Sequence, residues 1–138
     1  MSKKIAVITG ASSGMGREFV IQLCSRQQFD EVWVIARRTD RLESLSAEVR
    51  TKVRPISLDL TQKESIDAYR ALLEAEKPEV DVLVNASGVG RFGTFSEMEL
   101  EAMDVMIDLN VKAYVAMTYV TLPYLHKGSE VYQLDSLS

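Results

Sequence analysis

The chain has 138 residues, 46% of them hydrophobic and 26% charged, with a formal net charge of −4; this suits one globular domain spanning residues 1–138, and it offers no basic stripe for nucleic acid or an anionic membrane. The single cysteine, Cys24, excludes an internal disulfide and points to a reducing, cytoplasmic setting. The opening apolar run, Ile5 to Thr9, is too short for a signal sequence or a membrane span.

In chain order, "KKIAVITG" is a β-branched run that predicts a first strand. "GMGREFVIQLCSRQ", Gly14 to Gln27, has helical period with Phe19 and Leu23 on one face. "EVWVIARR" predicts a second strand, and "TDRLESLSAEVR" a second helix with Asp40 and Glu43 spaced as a capping box. "VRPISLDL" and "TQKESIDAYRALLEAEK" make the third pair, with Thr61 and Glu64 as its cap and Pro78 as its stop. "VDVLVNASG" is a fourth strand. Ser96 and Glu99 then cap a long helix, which carries Met103, Met106, Ile107, Val111 and Val115 at core spacing until Pro123. "SEVYQLDS", residues 129–136, is the fifth strand. The one histidine, His126, reads as a solvated residue near a helix end, so no metal site is expected.

Five strands alternating with four helices predict an α/β protein: a Rossmann-type doubly wound parallel sheet with helices on both faces, in three layers. Ligands of such sheets bind beyond the carboxyl ends of the strands. At the first of these ends stands "TGASSGMG", with Gly10, Gly14 and Gly16. Glycines between a strand and a helix give a tight turn and let a phosphate approach the amides of a helix N-terminus. The loop lacks the Gly-Lys-Ser/Thr of a Walker loop, and its spacing differs from G-x-G-x-x-G.

The spacing T-G-x-x-x-G-x-G resembles that of the short-chain dehydrogenase/reductase family. Further stations follow in that family's order: "ARR", "LDLT", "VNASG", "DLNVKA" and "LDSLS". The resemblance implies that Gly10, Ser12, Ser13, Gly14, Met15 and Gly16 line the pyrophosphate and adenosine ribose of a nicotinamide cofactor. It implies also that Asp59 and Leu60 hold the adenine, and that Asn85, Ser87 and Gly88 border the ribose. Read as local structure alone, Asp59 would serve as well as a cap for the helix entered at Thr61, and Asn85 as a strand-end turn residue. Ala86 and Ser87 depart from the family's usual two asparagines before Ala-Gly.

The second strand ends in Ala36, Arg37, Arg38. A carboxylate at that tip would accept hydrogen bonds from a ribose 2′-hydroxyl, whereas two guanidinium groups suit a 2′-phosphate. NADP(H) is therefore expected over NAD(H), with a surface pairing to Asp40 or Glu43 as the plainer use of these arginines.

By the same resemblance Ser136 and Asn110 match two catalytic positions of an oxidoreductase that interconverts a carbonyl compound and an alcohol by hydride transfer. The family's general acid/base is the tyrosine of a Tyr-x-x-x-Lys pair. The five tyrosines, Tyr69, Tyr114, Tyr119, Tyr124 and Tyr132, are followed four residues on by Leu73, Thr118, Pro123, Gly128 and Ser136. None is lysine, so an N-terminal portion of such an enzyme is expected, truncated before its proton donor and binding cofactor without turnover. A non-catalytic NADP-binding sensor and an interaction module remain the alternatives. A homo-oligomer joined through the long helix or the fifth strand is expected, because Met98, Met106, Val111, Val115 and Met117 exceed what the sheet needs covered.

Overall fold

The computed structural model describes residues 2–10, 14–37, 42–86 and 100–133. Its strands are β1 (Lys4–Thr9), β2 (Glu31–Ala36), β3 (Lys52–Ser57), β4 (Glu79–Asn85) and β5 (Leu125–Gln133). The α-helices are α1 (Gly14–Arg26), α2 (Lys63–Glu76) and α3 (Leu100–Thr121). All neighbouring strands pair in parallel, in the order β3-β2-β1-β4-β5.

The central strands are buried on both faces, so they read as continuous apolar runs without visible alternation. Alternation governs their packing nonetheless. Ala6 and Ile8 of β1, with Val32 and Val34 of β2, join Val20 and Leu23 of α1 in one core. Ile5 and Val7, with Trp33 and Ile35, face the other way and meet Tyr69 and Leu73 of α2 and Met117 and Val120 of α3. The result is a three-layer sandwich.

Four local expectations are corrected. In place of a full second helix, the described residues after β2 form a 3-10 helix at Glu43–Ala47. Leu42 and Leu45 are both fully buried, three residues apart, and this spacing suits the tighter helix. Ser46 Oγ donates to the Glu43 carbonyl, which competes with an α-turn; Asp40 lies outside the described residues.

The Thr61–Glu64 capping box is absent. The N-cap of α2 is Gln62, without a side-chain bond, and Thr61 is held by Asp59 instead. The helix closes at Lys77, whose φ of 47° is left-handed, ahead of Pro78.

On α3 the buried positions are Ala113, Met117 and Val120, while Ile107, Val111, Val115 and Tyr119 are exposed. Ile107, Val111 and Val115 thus line the outer face and not the core, and Met117 belongs to the core and not to the uncovered surplus. The side chains of Met103 and Met106, and residues Ser96, Met98 and Glu99, lie outside the described set.

The fifth strand starts earlier than expected, at Leu125. Val80 pairs with Leu125 but Val82 with Glu130, so residues 126–129 bulge opposite Asp81 alone. Gly128, with φ 98°, allows that bulge.

Candidate functional site

Parallel pairing brings the carboxyl ends of the strands to one edge. Thr9 is in register with Ile35 on one side and Asn85 on the other, and Ala36 with Ser57. Asp59 with Leu60, Arg37, Gly10 and Asn85 therefore follow one another along a single rim, in the order of strands β3, β2, β1 and β4.

Gly10 has φ 73° and donates its N–H to the Ile35 carbonyl at 2.9 Å. A side chain there would be strained, so this glycine is required by the turn itself. Gly14 opens α1 in a different situation: a Cβ built on it meets nothing within 4 Å. Gly16 is buried in the first turn, and Met15 lies between them in the helix backbone. Ser12 and Ser13 lie outside the described residues.

At the tip of β2, Arg37 is exposed, and its carbonyl accepts a hydrogen bond from Ser57 Oγ at 2.9 Å, tying the rim of β2 to β3. Asp59 follows β3. Its Oδ1 accepts from the Thr61 hydroxyl at 2.6 Å and the Thr61 N–H at 3.0 Å, while its own N–H donates to Ser65 Oγ. The Thr61 hydroxyl and the Thr61 N–H outweigh burial and, with a lesser contribution from the charge of Arg37, hold the Asp59 carboxyl below the usual carboxylate range. Asp59 is thus an ionised acceptor at neutral pH. Leu60 is half-buried against the core of the α2 face. Arg38 lies outside the described residues.

Asn85 ends β4 almost fully buried, its Nδ2 donating to Thr118 Oγ1 of α3 at 3.5 Å. The Ala86 N–H donates to Thr9 twice, to the carbonyl at 3.2 Å and to Oγ1 at 3.1 Å. Asn110 stands half-buried on α3, and its amide has no hydrogen-bond partner among the described residues. Ser87, Gly88 and Ser136 lie outside the described residues.

Thr9 and Thr118 were not anticipated. Their hydroxyls fix the two strand ends, yet a threonine in a buried strand or in a helix gives no pattern by which to single it out. Beyond this rim, His126 begins a strand bulge and is not a helix cap; its Nε2 stands 2.5 Å from Asp81 Oδ1.

The strand order, the glycine-bearing passage from β1 into α1 and the shared rim define a Rossmann-type α/β fold. The model of the short chain dehydrogenase family matches residues 4–131, and the chain belongs to that family. An uncharacterized oxidoreductase of Staphylococcus epidermidis is 32% identical over 129 residues, covering 94% of this chain and 55% of that protein. A crystal structure of a short-chain dehydrogenase from Streptomyces avermitilis is similar with a TM-score of 0.71 and 36% identity, over 87% of this chain and 44% of that one. A metagenomic short-chain oxidoreductase in complex with NADP is similar with a TM-score of 0.75 and 28% identity, over 98% and 63%. The chain spans about half the length of the relatives it matches. Among the described residues no helix is long and apolar enough to cross a membrane.

Proposed function

We propose that the chain forms the cofactor-binding part of an NADP(H)-dependent oxidoreductase that interconverts a carbonyl compound and an alcohol. The observation that carries this reading is the tip of β2, where Arg37 takes the place of a carboxylate and its charge reaches Asp59 at the tip of β3. The NADP held by the metagenomic relative supports the same preference.

On this reading Arg37 and Arg38 clamp the 2′-phosphate. The open space over Gly14 leaves room for the pyrophosphate at the N-terminus of α1, with Gly10, Ser12, Ser13, Met15 and Gly16 around it. Asp59, kept ionised, accepts from the adenine amine beside Leu60. Asn85, Ser87 and Gly88 border the ribose, with Thr118 orienting Asn85. The nicotinamide, when bound, supplies or accepts the hydride. Asn110 and the Ser136 hydroxyl hold the substrate oxygen by hydrogen bonds.

These 138 residues contain no Tyr-x-x-x-Lys, so by themselves they bind cofactor and lack a group to exchange the substrate's proton. A second reading is a non-catalytic NADP-binding module. A small-molecule substrate, a cytoplasmic setting consistent with the lone Cys24, and self-association through the outer face of α3 complete the proposal.

Calorimetric titration with NADPH and NADH tests it. NADPH is expected to bind at least about tenfold more tightly, since a charge-assisted phosphate contact contributes roughly 1.5–3 kcal/mol, and Arg37→Asp is expected to erase the difference. Equal affinities in the parent chain would overturn the cofactor assignment.

A further inference from the structure

We propose that Glu79, Asp81 and His126 form a site for one divalent metal ion of the zinc or cobalt type, clipping β5 to β4 at the end of the sheet away from the cofactor rim. Glu79 and Asp81 stand on either side of the buried Val80 on β4, and Asp81 is the residue skipped in the pairing with β1, where Val80 pairs with Ile5 and Val82 with Ala6. On β5 the bulge of residues 126–129 brings the imidazole over Asp81. That bulge is fixed from below: Ser129 Oγ donates to the Val80 carbonyl at 2.8 Å and accepts from the His126 N–H at 2.9 Å.

His126 Nδ1 lies 2.9 Å from the Lys127 carbonyl. A carbonyl can only accept, so Nδ1 carries hydrogen and Nε2 is the nitrogen turned to the carboxylates. A backbone carbonyl behind one imidazole nitrogen is the means by which metal-binding histidines are oriented. One ligand atom from each of the three residues lies within 4.8 Å of the others. Among the described residues, no lysine or arginine pairs with Glu79 or Asp81, and His126 is the cation that faces them. Two carboxylates and one imidazole, completed by water, suit tetrahedral Zn²⁺ or Co²⁺; Ca²⁺ and Mg²⁺ prefer more ligands, all of them oxygen. Ligand atoms around such an ion stand roughly 3.3 Å apart, given bonds of about 2.0–2.1 Å. The pair now 2.5 Å apart must therefore open by less than about 1 Å, within the reach of side-chain rotation. The ion takes the place of the proton on Nε2, which passes to water.

The test is titration of the untagged chain with Zn²⁺ by calorimetry and with Co²⁺ by visible absorption, together with thermal melting. Expected are one equivalent bound in the micromolar range, tetrahedral Co²⁺ bands, and a melting temperature that rises with Zn²⁺. His126→Gln, Asp81→Asn and the more exposed Glu79→Gln should each weaken binding about tenfold or more and remove the melting shift, with far-UV circular dichroism unchanged. Because His126 is the chain's one histidine, its imidazole proton resonances report binding without assignment. The proposal is overturned if no binding occurs below millimolar Zn²⁺ or if His126→Gln binds as the parent does. It is also overturned if Co²⁺ gives a thiolate charge-transfer band that Cys24→Ser removes.

Discussion

The Tyr69 hydroxyl of α2 meets Thr121 Oγ1 of α3 at 2.7 Å, both side chains fully buried. Because Thr121 Oγ1 already donates to the Met117 carbonyl at 2.6 Å, the tyrosine must be the donor between them. Burial pushes the Tyr69 hydroxyl far above its ordinary pKa, so it holds that proton at any working pH. The two substitutions are then unequal. Tyr69→Phe leaves an acceptor short of one bond and should cost about 1 kcal/mol, whereas Thr121→Val buries a donor with no acceptor and should cost roughly 2–3 kcal/mol. The double variant should cost less than the sum. Urea unfolding of the four proteins checks this, and equal single costs would refute the donor assignment.

Glu31, nearly buried at the start of β2, receives the Trp33 indole N–H at 3.0 Å and faces Lys52 at 3.3 Å, Lys3 at 3.4 Å and Arg54 at 3.7 Å. Burial opposes its ionisation, but Trp33, Lys52 and Lys3 together outweigh burial and hold the carboxyl below its usual range. A depressed folded value stabilises above the unfolded pKa of about 4.3, and the gain is lost as pH falls through the folded value. Glu31→Gln should therefore cost about 1–3 kcal/mol at pH 7 and progressively less below pH of about 4. Denaturation curves across that range decide it; a pH-independent cost would mean that the carboxylate charge is not the stabilising element.

Ile107, Val111, Val115 and Tyr119 recur every four residues on the outer face of α3, and Tyr119 is 67% exposed. Such a stripe left in water drives association. The chain should sediment as a self-associated species at high concentration, and Val111→Lys with Val115→Glu should weaken the association by about tenfold or more, as loss of central apolar contacts does. A parent that stays monomeric at high concentration would rule out this interface.

No aldehyde or ketone should be reduced at a measurable rate by these 138 residues with NADPH, since on the proposed reading Asn110 and Ser136 only hold the substrate oxygen and neither titrates near neutral pH. Assay of a carbonyl panel tests this. Turnover that Ser136→Ala abolishes would show that a serine-based site suffices.

The strands were legible because both of their faces are buried: Ile5 to Ile8 and Val32 to Ile35 could be little else. The glycines of the first loop were legible too, since Gly10 meets a backbone demand that no other residue satisfies so well. The face of α3 was not. Apolar residues occupy both its sides, so period alone could not tell Met117, which packs on the sheet, from Val115, which does not. Nor could spacing reveal His126 beside Asp81, because 45 residues separate them and a strand bulge joins them. Local pattern reports what a residue's neighbours in sequence demand, and these two features depend on neighbours in space.

A parallel sheet has two unlike ends. At one end Glu31, Lys3, Lys52, Arg54 and Glu76 form a network of charges that touches nothing at the rim of Gly10, Arg37 and Asn85. Six residue steps along β2 lead from Glu31 to Arg37, about 20 Å of strand, well beyond the 7–10 Å over which substitutions ordinarily couple. For protein engineering this is a natural partition. Charge redesign at the Glu31 end can be screened by thermal melting alone and then combined with the changes proposed at Arg37, with the effects of the two sets adding.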